Sequence, residues 1–413
     1  MERIEADLLL PGDGAPVRDA VLVIDEETIT YAGPAGDAPE TSGATSTRAP
    51  VVMPGMWDCH THFLGSPVVD LNTLPLQPVA LRAARVTADA KAALDAGFTS
   101  VREVGGLGIH LARAVNEGSV PGPHIYAAGA VLSATGGHAD LHAFPLEWVA
   151  DFGHRGGDLR VCDGPSDCAR AAREQLRMNA KVIKVCASGG VLTEVDDPHH
   201  QLFTAKELNA IVETAALSQR AVAAHCHGKA GIMAALEAGC LTIEHGTYLD
   251  AECCAAMKET GAILVPTRLI VEALRHQDEI PEYARTKIRY VAEKHHESVA
   301  LAYEYGITVA MGTDIALPAT TGHECSWGRH GQELPHLVQA GMSPLEAVRC
   351  ATAHGPLTLG PQAPRSGKLE AGYDADVLAL DADPLEDITV LADPRHVSEV
   401  WSRGRRVKGT APA

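Results

Sequence analysis

Residues 53–65 read MPGMWDCHTHFLG, an apolar run broken by Pro54 and Gly55 that leads into His60 and His62. Side chains two apart on an extended chain point the same way, so a strand here would present both imidazoles to one place. Short apolar runs of similar make-up recur downstream: TSVREVGG (99–106), HIYAAGAVLS (124–133), KVIKVCASGG (181–190), AVAAHCHG (221–228), LTIEHGTYL (241–249), GAILVPTRLI (261–270) and ITVAMGTDIA (307–316). Helix-like stretches lie between them. TAKELNAIVETAAL opens with Thr204 and Glu207, and SPLEAVRCATAHG with Ser343 and Glu346, each pair at capping-box spacing. This alternation predicts an α/β protein of repeated β-α units around a parallel sheet, closed into a (β/α)8 TIM barrel over residues 54–355. A doubly wound open sheet is the competing fold, but it usually has fewer strands and often a Gly-rich phosphate turn after the first. The sequence contains no such turn.

The flanks have a different texture. ADLLLPGDGAPVRDAVLVIDEETITYAG (6–33), SGKLEAGYDADVLALDADP (366–384) and SEVWSRGRRVKG (398–409) are short strand-like runs separated by Gly, Pro and Asp turns, without helical period. They predict a small β-sandwich domain built from residues 1–53 and 356–413 together.

Composition narrows the function. The chain has 413 residues, 46% hydrophobic, with a formal net charge of −19. That charge opposes nucleic-acid binding, which rests on Lys and Arg neutralising phosphates. No apolar run reaches the roughly 18 to 20 residues of a membrane span. The N-terminus MERIEADLLL lacks the basic start and long apolar stretch of a secretory signal, and the ten cysteines are scattered with no CxxC pair. These features predict a cytoplasmic protein with reduced, mostly core cysteines.

In a β/α barrel, functional residues sit at the carboxyl ends of the strands. His60 and His62 follow the first run, Lys184 lies within the fourth, His225 and His227 end the fifth, His245 ends the sixth and Asp314 ends the eighth. A buried, unpaired lysine charge costs several kcal/mol, so Lys184 between Ile183 and Val185 calls for a special role. Imidazoles and a carboxylate gathered at strand ends read as a metal site, with zinc or a similar divalent ion as the natural occupant.

This pattern resembles the amidohydrolase superfamily, and the resemblance extends over the whole chain, including GYDADVLALD (372–381) in the split small domain. It implies two divalent metal ions: His60, His62 and Asp314 on one, His225 and His245 on the other, and Lys184, carbamylated, bridging both. It further implies that the metal pair polarises a substrate carbonyl and acidifies a shared water. Asp314 would take the water proton and return it to the leaving amine.

The loop SGGVLTEVDDPHHQLF (188–203) is similar to that of a subgroup containing prolidase-like dipeptidases and ochratoxin-hydrolysing amidases. His138 and His227 would then contact substrate, while Val191 and Leu192 would line an apolar pocket. The implied partners are a small-molecule amide or dipeptide and further copies of the chain in a homo-oligomer. His199 and His200 are expected in a solvated loop, His295 and His296 on the surface, and Cys59 and Cys226 in the core. A mononuclear deaminase of the same superfamily would usually lack the bridging lysine and carry a glutamate after strand five, where this chain has CHGKAG (226–231). A non-catalytic barrel would have lost ligand residues, and all are present.

Overall fold

The computed structural model describes residues 1–68, 70–277 and 280–409. Its centre is a barrel whose strands one to three are Met56–Thr61, Phe98–Glu103 and a split third strand, His124–Ala127 with Val131–Ser133. Strands four to seven are Val182–Cys186, Ala221–Cys226, Thr242–His245 and Ile263–Val265. All neighbours among these pair in parallel. The third strand is divided because Gly129 takes a positive φ of 79°, so its first half pairs with strand two and its second half with strand four. The eighth position is an extended segment at 308–315. It bridges to strand seven through Leu264 and Val309 and to strand one through Thr61 and Ile315, which closes the barrel.

Every residue of strands one, two, four, five, six and seven is buried. That is the condition of a parallel sheet covered by helices outside and packed within, and it explains the near-continuous apolar runs. The helices Ala205–Ala216 and Pro344–Cys350 both open with the capping boxes read from sequence. The loop between strand four and helix Ala205–Ala216 contributes lining to the cavity at the barrel mouth, and so do helices Arg268–Arg275 and Glu282–Glu304 after strand seven.

Both ends of the chain build one seven-stranded mixed sheet. In spatial order its strands are Arg405–Lys408, Val397–Ser402, Val377–Leu380, Thr45–Pro54, Glu2–Leu9, Val17–Asp25 and Thr28–Pro34. The last strand returns to the C-terminal segment through an antiparallel bridge between Thr28 and Asp374. The sheet thus curls over its own core of Ile4, Leu22, Ile29, Val52, Val377 and Trp401. Among the described residues, no helix is long and apolar enough to cross a membrane.

Candidate active site

His60, His62, Lys184, His225, His245 and Asp314 converge on one cavity of about 140 Å³ at the carboxyl ends of the barrel strands. His60, His62 and Asp314 offer ligand atoms within 4.8 Å of one another, as do His225, His227 and His245. Lys184 lines the same cavity, its Nζ 3.2 Å from His60 Nε2. Asp314 Oδ1 lies 3.1 Å from His62 Nε2 and 3.6 Å from His60 Nε2. His227, expected at the substrate end, therefore sits in the second cluster itself, its ring stacked 4.9 Å from that of His245.

The outer atoms of the imidazoles are already committed. His60 Nδ1 meets Glu244 Oε2 at 2.7 Å, and His62 Nδ1 meets the Gly105 carbonyl at 2.8 Å. His227 Nδ1 and His245 Nδ1 pair with the hydroxyls of Thr247 and Thr267, each at 2.7 Å. These contacts leave Nε2 of each ring for the cavity. His225 is turned the other way: its Nε2 faces the Gly189 carbonyl at 3.2 Å, leaving Nδ1 for the cavity. Fixing the far nitrogen of a ring is how proteins orient metal-binding histidines, so the donor set fits a pair of divalent ions.

The backbone carries strain at the same place. His245, Thr267 and Asp314 have φ values of 68°, 57° and 62°, in the left-handed region that non-glycine residues rarely enter. Such strain clusters at functional sites because the surrounding structure must hold it. Here it falls on two strand-end residues that line the cavity, His245 and Asp314, and on Thr267, whose hydroxyl holds His245 Nδ1.

The electrostatics follow from burial among like and unlike charges. Burial pulls His60 down to about 4, with the Lys184 charge adding to it and Asp314 and Glu244 opposing. Burial and then the neighbouring His138 hold His225 well below the ordinary imidazole value, while burial and then His225 do so for His245. His62 is raised: burial opposes its charge, but the hydrogen bond and charge of Asp314 outweigh it. Asp314 is likewise pushed up by burial yet held at about 2 by His60 and His62. Burial also lowers the Lys184 ammonium. The shifts favour the neutral forms of His60, His225 and His245 and the ionised form of Asp314, the forms that bind metal.

Above this floor the cavity is apolar. Val191 and Leu192 line it as expected, joined by Leu71, Leu74, Ile270, Val271, Leu274, Ile288 and Val291. His138 also lines it, its ring stacked 4.3 Å from that of His225 and its Nδ1 3.2 Å from Asp196 Oδ2. Asp158 reaches the wall but is neutralised by two hydrogen bonds from Arg82, at 2.7 and 2.8 Å.

Of the remaining histidines, His199 and His200 are exposed and His296 is on the surface. His295 corrects the expectation: it is buried, its Nε2 2.6 Å from the Pro266 carbonyl. One side of helix Glu282–Glu304 packs on the barrel, and position 295 falls on that side. Cys59 and Cys226 are core residues.

Sequence reading passed over Glu244 and Arg102. Both are fully buried, and Arg102 donates to both Glu244 oxygens at 2.7 and 2.8 Å. The available signal was the one used for Lys184, a charged side chain inside an otherwise apolar strand.

A barrel with these clusters at its mouth and a sheet made from both termini defines a metal-hydrolase architecture, and residues 51–407 match the model of the amidohydrolase family. The chain belongs to that family. It is 41% identical to an ochratoxinase from Aspergillus niger over 98% of this chain and 86% of the relative. The crystal structure of A. niger ochratoxinase superposes with a TM-score of 0.92, covering 99% of this chain and 95% of that one. A prolidase complexed with N-methylphosphonate-L-proline is 32% identical with a TM-score of 0.90, covering 99% and 100%. A Xaa-Pro dipeptidase with methionine bound in its active site is 30% identical with a TM-score of 0.88, at the same coverage. The chain is thus an amidohydrolase, an enzyme acting on amide C–N bonds.

Proposed function

We propose that this enzyme hydrolyses an amide whose amine side is an α-amino acid with a free carboxylate and whose acyl side is bulky and apolar. N-acyl amino acids and aryl amides of the ochratoxin type fit best, with Xaa-Pro dipeptides in the same class. The chemistry resides in the barrel, residues 54–355, supported by a domain of residues 1–53 and 356–413. The observation that carries the reading is a histidine-rich floor beneath a wall of aliphatic side chains within one cavity. Relatives named for ochratoxin and for Xaa-Pro dipeptides support the choice.

Two divalent ions, zinc by ligand type, would be held by His60, His62 and Asp314 and by His225 and His245. Lys184, as a carbamate, would lie between them. Its Nζ lies 3.2 Å from His60 Nε2, among the proposed ligands, and burial disfavours its ammonium; the uncharged amine is the form that a carbamate is made from. The bound ions would polarise the scissile carbonyl and acidify water. Asp314, ionised and held by His62, accepts the proton of the attacking water and delivers it to the leaving nitrogen. His138 and His227 hydrogen-bond the substrate's anionic end. Val191, Leu192 and the walls from helices Arg268–Arg275 and Glu282–Glu304 bury the apolar acyl group, each well-buried side chain contributing roughly 1.5 to 3 kcal/mol.

The test is a panel of N-benzoyl-phenylalanine, ochratoxin A and Xaa-Pro dipeptides beside their carboxyl-amidated or esterified forms, with metal measured in the same sample. About two divalent ions per chain are expected of a two-metal hydrolase. Equal rates on blocked and free acids would remove the carboxylate requirement. Full activity with one ion per chain would remove the bridged pair.

A further inference from the structure

Helix Glu282–Glu304 does more than supply Ile288 and Val291 to the cavity wall. Lys287 Nζ donates to the carbonyls of Gly190 at 3.2 Å, Thr193 at 2.5 Å and Asp196 at 2.5 Å, and lies 3.2 Å from Asp196 Oδ1. One turn earlier, the Tyr283 hydroxyl donates to the Leu192 carbonyl at 3.4 Å, and its ring centroid is 5.9 Å from the same ammonium. The loop after strand four therefore turns four backbone acceptors, at Gly190, Leu192, Thr193 and Asp196, toward a single helix. A simple ion pair would need only the Asp196 carboxylate. Three backbone carbonyls around the ammonium constrain the shape of the loop, because each fixes the orientation of a peptide plane.

What that loop holds is the upper half of the cavity. Val191 and Leu192 are wall residues, lying between the carbonyls of Gly190 and Thr193. The buried Asp196 accepts from Gly190 N at 2.9 Å and faces His138 Nδ1 at 3.2 Å. The Thr193 hydroxyl reaches His138 Nδ1 at 2.9 Å. Gly190 lies so close to the His138 ring that a Cβ there would stand 2.1 Å from Cε1. The loop, His138 and the wall are one packed unit, and Lys287 is the cation that ties it to the helix.

We propose that Lys287 is a positioning residue whose ammonium fills an oxygen cage, keeps the 188–203 loop closed over the cavity, and thereby sets how tightly bulky amides bind. This rests on the reading of the cavity as the substrate site, and it assigns Lys287 no contact with substrate. Charge-assisted hydrogen bonds are the strong ones, and losing several at once frees the loop to sample open forms. Bulky substrates, which need both walls, should lose binding while turnover of bound substrate is kept.

The experiment uses the metal-loaded enzyme. Lys287→Met should raise KM for N-benzoyl-phenylalanine by about tenfold, the loss expected when hydrogen bonds to a charged group are removed. Its kcat should stay within about threefold and its metal content should not change. Lys287→Ala should show the same rise, reversed by n-propylammonium and not by 1-propanol, a rescue that a purely structural defect would not give. Lys287→Arg, whose planar fork cannot serve four convergent oxygens, should be intermediate and decides the matter should the other variants not fold. An unchanged KM, wild-type behaviour of the Arg variant, or equal rescue by the alcohol would overturn the cage. If the wild type turns over none of these amides, the substrate reading fails by itself. Amide hydrogen exchange over 189–201 then still tests the clamp: Lys287→Met should speed it, and unchanged exchange would refute it.

Discussion

Arg102→Met isolates the buried ion pair beneath the site. Arg102 and Glu244 are both 0% exposed. The guanidinium donates to both Glu244 oxygens, to the Cys59 carbonyl at 2.6 Å and to the Thr242 hydroxyl at 2.9 Å. Burial pushes the Glu244 carboxyl up, and the Arg102 charge with the His60 hydrogen bond more than offsets it, holding it far below the usual carboxylate range. Methionine retains most of the volume and removes the charge, so an uncompensated carboxylate stays in the barrel interior. Removing one partner of a buried pair costs about 3 to 5 kcal/mol, a large share of the roughly 5 to 15 kcal/mol that holds a domain folded. Because Glu244 is also the partner that orients His60, metal affinity should fall by about 10 to 100-fold. The assay is urea unfolding of the metal-free protein, paired with competitive metal titration. The double variant Arg102→Met with Glu244→Leu should recover much of the stability and none of the metal affinity, since it removes both charges and leaves His60 Nδ1 without its acceptor. A single-variant loss below about 1 kcal/mol, the scale of an exposed pair, would refute the reasoning.

Lys184→Ala should abolish most activity and regain part of it with short carboxylic acids, which can stand where a carbamate would; normal turnover and metal content in the variant would remove the bridging role. Asp314→Asn should fold and lose at least the 100 to 10,000-fold attributable to proton transfer, and a variant within tenfold of wild type on the same amides would shift the proton chemistry elsewhere. Asp89 gives a pH-dependent stability, because burial pushes its carboxyl up to about 7 against the hydrogen bond from Ala319 N. A raised folded-state value means that its contribution is complete below the unfolded value near 3.8 and is lost as pH rises toward 7. Asp89→Asn should therefore be more stable than wild type in thermal melts at pH 8, with the advantage vanishing near pH 4; parallel melting curves across that range would contradict the assignment.

The sequence alone carried what depends on local order. Strand and helix alternation, the two capping boxes and the HxH spacing are properties of residues a few positions apart, and the structure contains the barrel, both caps and the two imidazoles of strand one at its mouth. Lys184 could be singled out because a charge inside an apolar strand has few bland explanations. The tertiary structure decided everything that depends on who meets across the barrel. Glu244 orients His60 from 184 positions away, and no local pattern pairs them. His227 joined the second histidine cluster, and His295 moved from the expected surface into the interior, because helix and strand packing set which face of each element is inward. Leu71, Leu74, Ile270, Val271, Leu274, Ile288 and Val291 line the wall from helices whose apolar positions look, in sequence, like ordinary core. The ring nitrogen that each histidine turns to the cavity was also settled only in three dimensions, by the carbonyl, hydroxyl or carboxylate that claims the other one.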